Sequence, residues 1–158
     1  MLVQLTAALS IVAWVAAEWL KRRARRNRDR AARAIWTAGA VLLAAHTLAA
    51  FHVVHLWSHE AAAAETARQT AALTGIDWGG GIFVNYAFLA VWAADAGWWW
   101  AAPVSYRNRS RTIDTALFLF FVFMFVNGAI VFADGAMRLL GAAAVTVVLW
   151  SWYRSKRD

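Results

Sequence analysis

Residues 1–30 read MLVQLTAALSIVAWVAAEWLKRRARRNRDR: twenty mostly apolar residues run straight into ten of which seven are Lys or Arg. The hydrocarbon core of a bilayer is about 30 Å thick, and roughly 20 apolar residues in a helix cross it. Met1–Leu20 has that length. A secretory signal carries its positive charge before the apolar run, whereas here the charge follows it. The stretch is therefore expected to be an uncleaved membrane helix, with its N-terminus outside and its basic end in the cytoplasm.

The same reading extends along the chain. Further apolar runs cover 34–57, 82–102 (ending before Pro103), 115–133 and 137–153, the last two separated by the turn Ala133-Asp134-Gly135-Ala136. Five spans place alternate connections on the same side. Fourteen of the sixteen Lys and Arg lie in 21–33, in 107–111 and after Trp152, whereas the segment 58–81 and the turn at Asp134 hold only Arg68 and Arg138. This is the positive-inside distribution at every connection. The expected fold is an all-α polytopic bundle of five transmembrane helices forming one domain over 1–158, with the C-terminus cytoplasmic. A bacterial inner membrane is the expected location.

Composition agrees. Hydrophobic residues make up 62% of the 158, against roughly 45–50% for a soluble domain. The net charge of +7 and the pI near 11.0 would suit a nucleic-acid binder, but the clustering of charge beside apolar runs points to the bilayer as partner and to no nucleic acid. There is no Cys, which excludes disulfides, thiolate metal sites and a Cys nucleophile.

Between the second and third runs, Ser58 is placed to cap a short alanine-rich helix that Gly75 would stop. This helix is expected on the outer surface, followed by the glycine-rich turn Asp77-Trp78-Gly79-Gly80-Gly81.

All four histidines lie between 46 and 59. On a continuous helix, His52, His55 and His59 fall within about 60° of one another, a set suited to Cu, Fe or Zn, which accept imidazole nitrogen. Hydrogen-bonded or plain interfacial histidines are the alternatives. Depth along each span puts Gln4, Asn85, Tyr86 and Asn127 at the same outer level, with Asp77 just beyond, as a supporting pocket. Tyr86, Phe88 and Trp92 are candidates to line a slot for a flat ligand such as haem, a quinone or a carotenoid pigment. Haem would need Met124 or Met137, or a second protomer, for its other axial ligand. Most of the remaining tryptophans, Trp36 and Trp99 among them, are expected in an aromatic belt at the span ends.

His55-Leu-Trp-Ser-His59 resembles one box of the histidine-rich membrane desaturases and hydroxylases. The resemblance covers five residues, and no histidine follows His59, so the further boxes of that family are missing. Asp95, two turns from the end of its span, is expected either to pair with an Arg of the inner loops or to belong to a proton path. Glu18, beside Lys21, is expected to form a snorkelling salt bridge with the basic loop. The sequence assigns no catalytic residue. Two functions follow: metal or metallo-cofactor binding at the outer histidines, with redox activity open to such a site, or a non-catalytic subunit of a homo-oligomer or larger membrane complex that packs helices and holds a lipid, quinone, haem or pigment.

Overall fold

A computed structural model describes residues 1–22 and 26–155, with the side chains of 26–28 excluded. The basic residues Arg23, Arg25, Lys156 and Arg157 lie outside the described residues. The described chain is helical, with α1 (Leu2–Arg22), α2 (Arg26–Val53), α3 (His59–Thr74), α4 (Gly81–Ala101), α5 (Pro103–Arg107), α6 (Arg111–Val126) and α7 (Gly135–Ser155). Beyond Val126, α6 widens into a π-helical turn over Asn127–Val131, closed by the Phe132 amide donating to the Asn127 carbonyl at 2.9 Å.

Four helical segments are long and apolar enough to cross a membrane: Leu2–Arg22, Asp29–Val53, Arg111–Val131 and Gly135–Ser155. Large aliphatic side chains such as Leu2, Leu5, Leu9, Val41 and Leu48 are exposed on them, as lipid-facing surfaces require and water-facing surfaces avoid. α4 has the length of a span, 21 residues, but is not one of the four. Asn85, Tyr86, Asp95 and its run of indoles lower its hydropathy.

α1 and α2 form an antiparallel pair, since Val3 lies beside His46 while Ser10 lies beside Gly39. The His46 Nδ1–H donates to the Val3 carbonyl at 2.9 Å, and the buried Ser10 hydroxyl donates to the Gly39 carbonyl at 3.1 Å. Glycine at 39 is dictated by packing. A Cβ there would lie 2.5 Å from Cζ2 of Trp92, so the missing side chain lets α4 press its indole between α1 and α2.

The centre of the bundle is aromatic. Trp14 stacks on Phe125 (centroids 4.3 Å apart), Trp36 meets Trp92 (5.1 Å) and Phe121 (4.9 Å), and Phe88 meets Phe121 and Phe125 edge-on. Trp14 and Trp92 have no exposed surface. Trp92 is fully buried, enclosed by the rings of Trp36, Phe88, Phe121 and Phe125. One sequence expectation changes here. Trp36 and Trp99 belong to the core, because each turns its ring inward toward Lys21, with Trp99 also lying flat on Tyr106 (4.5 Å, 6° between planes).

The second apolar run also ends earlier than expected. α2 stops at Val53, and Leu56 and Trp57 follow in the left-handed region at φ 49° and 63°, a conformation that side chains with a Cβ seldom adopt. Ser58 then caps α3, its Oγ accepting from the Ala61 amide at 3.1 Å, and Gly75 at φ 76° ends it. The turn at Gly79 packs directly on α3, where a Cβ would stand 2.7 Å from the Ala63 carbonyl oxygen.

Candidate functional site

The bundle has two polar ends separated by the aromatic core. At one end lie the histidines. His52 is exposed, and its Nδ1 accepts from the Trp57 indole N–H at 3.2 Å. His55 is half-buried with its ring edge-on to Phe51 at 5.8 Å. His59, exposed, is hydrogen-bonded through Nδ1 to the Tyr86 hydroxyl at 3.1 Å. The early end of α2 explains the arrangement: with Val54–Ser58 turning rather than helical, the three imidazoles leave the common face that a continuous helix would give them. Among the described residues, no group of three or more His, Asp or Glu side chains is placed to hold a metal ion.

The supporting residues are similarly dispersed. Gln4, Asp77 and Asn85 are exposed. Asn127 donates through Nδ2 to the Phe123 carbonyl of its own helix at 2.8 Å. Tyr86 alone of the five reaches a histidine. What the end does contain is a continuous patch of rings, with Phe51 facing both Trp57 and Tyr86, and Phe83 facing both His59 and Tyr86.

The opposite end is charged. Glu18 is 7% exposed and takes Lys21 Nζ on Oε1 at 3.1 Å and Arg22 Nη2 on Oε2 at 2.8 Å. Asp95 is 5% exposed and accepts from Arg109 Nη1 on Oδ1 at 2.8 Å and from the Tyr106 hydroxyl on Oδ2 at 2.9 Å. Arg109 Nε also donates to Asp114 at 3.1 Å. Each cation in addition meets an aromatic face: Lys21 stands 3.1 Å from the Trp36 centroid, Arg22 4.9 Å from Phe118 and Arg109 4.3 Å from Tyr106. Burial first, and the neighbouring Asp95 carboxylate second, push the Tyr106 phenol far above its ordinary range, so it remains a donor at every physiological pH. Glu18, Lys21, Arg22, Asp95, Arg109 and Asp114 surround a cavity of about 250 Å³, which Trp36, Phe121 and Ser155 also line.

Local sequence accounts for this construction. Glu18, Lys21 and Arg22 occupy neighbouring positions at the end of α1 (i, i+3 and i+4). Pro103 has no amide to donate and opens α5. That short helix turns the chain so that Tyr106 and Arg109 come back to Asp95, three turns earlier in α4. Sequence reasoning found Glu18 paired with the basic loop, and Asp95 as an acid in need of a partner. It did not single out Tyr106, Arg109 or Asp114. The available signal was the alternation of cations in Arg107-Asn108-Arg109-Ser110-Arg111 directly after a span holding one acid.

The fold and its polar ends define a helical protein built for contact with lipid. Comparison of the chain with protein-family models, with curated proteins and with solved structures finds no match.

Proposed function

We propose that this chain is a five-span membrane protein, N-terminus outside and C-terminus inside, that serves as a non-catalytic subunit packing against another membrane helix. The observation that carries the reading is the outward face of α4. Ala87, Ala90, Ala94 and Gly97 share one side of that helix and are all exposed, and an added Cβ at Gly97 would meet nothing within 4 Å. Small residues at this spacing let two membrane helices approach closely. The dense aromatic core between the two polar ends supports a packing role over a transport path. α4 is taken as the fifth span because its tryptophans suit a membrane boundary and its one acid is paired.

A chain without Cys makes the test direct. Single cysteines at Ala63 and Asn108 should label from opposite sides of intact inner-membrane vesicles. A thiol-attached photocrosslinker, which inserts into C–H bonds of whatever lies beside it, should shift Ala90→Cys to a larger species in native membranes while leaving Leu5→Cys unshifted. Labelling of both positions from one side sinks the topology, and an unshifted Ala90→Cys sinks the subunit reading.

Metal or haem binding through His52, His55 and His59 is the second reading. It is favoured by the two consecutive left-handed residues at Leu56 and Trp57, a strained turn of the kind that clusters at functional positions; rearrangement of that turn would be needed to bring the imidazoles together. Metal analysis and an optical spectrum of purified protein, parent against His52→Ala/His55→Ala, decide it. Stoichiometric metal or a Soret band lost in the double variant supports the site. Folded, colourless, metal-free parent protein removes it.

A further inference from the structure

The charged cavity is rich in donors and poor in acceptors. Both oxygens of Glu18 and both of Asp95 already accept a bond, and Asp114 Oδ1 accepts from Arg109. An ammonium carries three N–H groups and a guanidinium five, so Lys21 and Arg22 keep N–H groups beyond the one bond that each gives to Glu18. Arg22 is the least satisfied. Its Nε is buried with no partner among the described residues, and its Nη1 reaches Ser155 Oγ only at 3.4 Å. The three cations Lys21, Arg22 and Arg109 are matched in formal charge by Glu18, Asp95 and Asp114. A neutral cavity with spare donors suits an acceptor of low charge better than a dianion. Leu117 and Phe118 supply an apolar side to the same cavity.

We propose that this cavity binds a phosphodiester, the headgroup phosphate of a glycerophospholipid in the inner leaflet, with Arg22 and Lys21 on its free oxygens and Phe118 against the glycerol. A phosphodiester carries two unesterified oxygens to take the spare N–H groups and brings one negative charge into the neutral cavity, where a dianion would bring two. Basic pockets between helices on the cytoplasmic side are where headgroups of acidic lipids are held, and the remaining basic residues of this end add attraction. The lipid source rests on the inside placement of the basic end proposed above, which labelling at Asn108 tests separately. Free phosphate shares the chemistry but has no use for the apolar wall.

The exposed Ser155 lines the cavity without belonging to any of the ion pairs there, so Ser155→Phe fills the space while leaving the charges intact. Thermal unfolding of the full chain in dodecyl maltoside should rise saturably, by about 5 °C, on adding dioleoyl phosphatidylglycerol. Dioleoylglycerol, which lacks the phosphate, should leave the midpoint unchanged. Arg22→Gln should lose at least half of the shift. Ser155→Phe should lose it as well, each shift being read against that variant's own lipid-free midpoint, which keeps the test decisive even where Arg22→Gln folds poorly. An equal rise in parent and Ser155→Phe, or an equal rise with dioleoylglycerol, overturns the site. An equal rise with inorganic phosphate overturns the lipid as its ligand.

Discussion

Arg109→Ala is expected to destabilise the folded protein by about 3–5 kcal/mol, the range for removing one partner from a buried ion pair. Arg109 and Asp95 have side chains only 9% and 3% exposed. Without the guanidinium, the Asp95 carboxylate keeps one hydrogen bond, from Tyr106, and loses its ion pair, while Lys21, the other cation whose charge acts on it, is already bonded to Glu18. The reverse deletion should cost less. In Asp95→Ala, Arg109 retains Asp114, whose carboxylate is half-exposed and tolerates the change, so roughly 1–3 kcal/mol is expected, on the scale of a lost buried hydrogen bond to a charged group. The double variant Asp95→Leu/Arg109→Met should recover much of the Arg109→Ala loss, because a well-packed apolar pair of similar volume often replaces a buried ion pair without penalty. Equilibrium unfolding in detergent micelles measures all three. Arg109→Ala with parental stability would show that the carboxylate reaches water and that the pair is a surface feature. Recovery in the double variant also separates roles: a folded chain that has lost phosphatidylglycerol binding would place Arg109 in the lipid site, while retained binding would leave it a positioning residue for α5.

What could be read from the sequence was whatever chemistry is local. Ser58 and Gly75 bracket α3 because an N-cap hydroxyl and a left-handed glycine act within one helical turn. Glu18 meets Lys21 because three residues on a helix bring them together. The same periodicity groups the histidines only on a helix that runs through to His59, and α2 ends before it. Its actual end at Val53 is made by contacts that local spacing does not encode: the Trp57 indole on His52, and the Trp57 amide reaching back to the Phe51 carbonyl at 2.9 Å. Asp95 shows the opposite case. An acid in an apolar run announces that a partner exists, but the identity of Arg109 depends on the turn made by α5, fourteen residues later. Tryptophan was the least legible. The same indole serves a membrane boundary or a core, and only packing distinguishes exposed Trp100 from buried Trp99 beside it.

Glycine gives the second large effect, and two positions with opposite surroundings make it a controlled comparison. A Cβ on Gly141 would lie 2.4 Å from the carbonyl oxygen of Ala129 and 2.8 Å from its carbonyl carbon. Those are backbone atoms of the π-helical turn, so no side-chain rotation relieves the contact. Gly141→Val should therefore push α7 away from that turn and cost about 2–3 kcal/mol, the upper part of the range for overpacking, after any gain in helix propensity is offset. At Gly97 the added Cβ meets nothing, and Gly97→Ala should leave the isolated chain unchanged or up to about 1 kcal/mol more stable, since alanine is the better helix former. Thermal unfolding of the two variants in the same detergent reads the contrast directly. Equal stability of Gly141→Val and parent would mean that α7 does not press on the π-turn. The Gly97 variant then carries a functional consequence that its stability conceals. If α4 packs against another membrane helix through its small-residue face, Gly97→Leu should leave the isolated chain folded yet abolish the crosslink formed at Ala90→Cys. A crosslink that survives Gly97→Leu would move the packing surface off this face of α4.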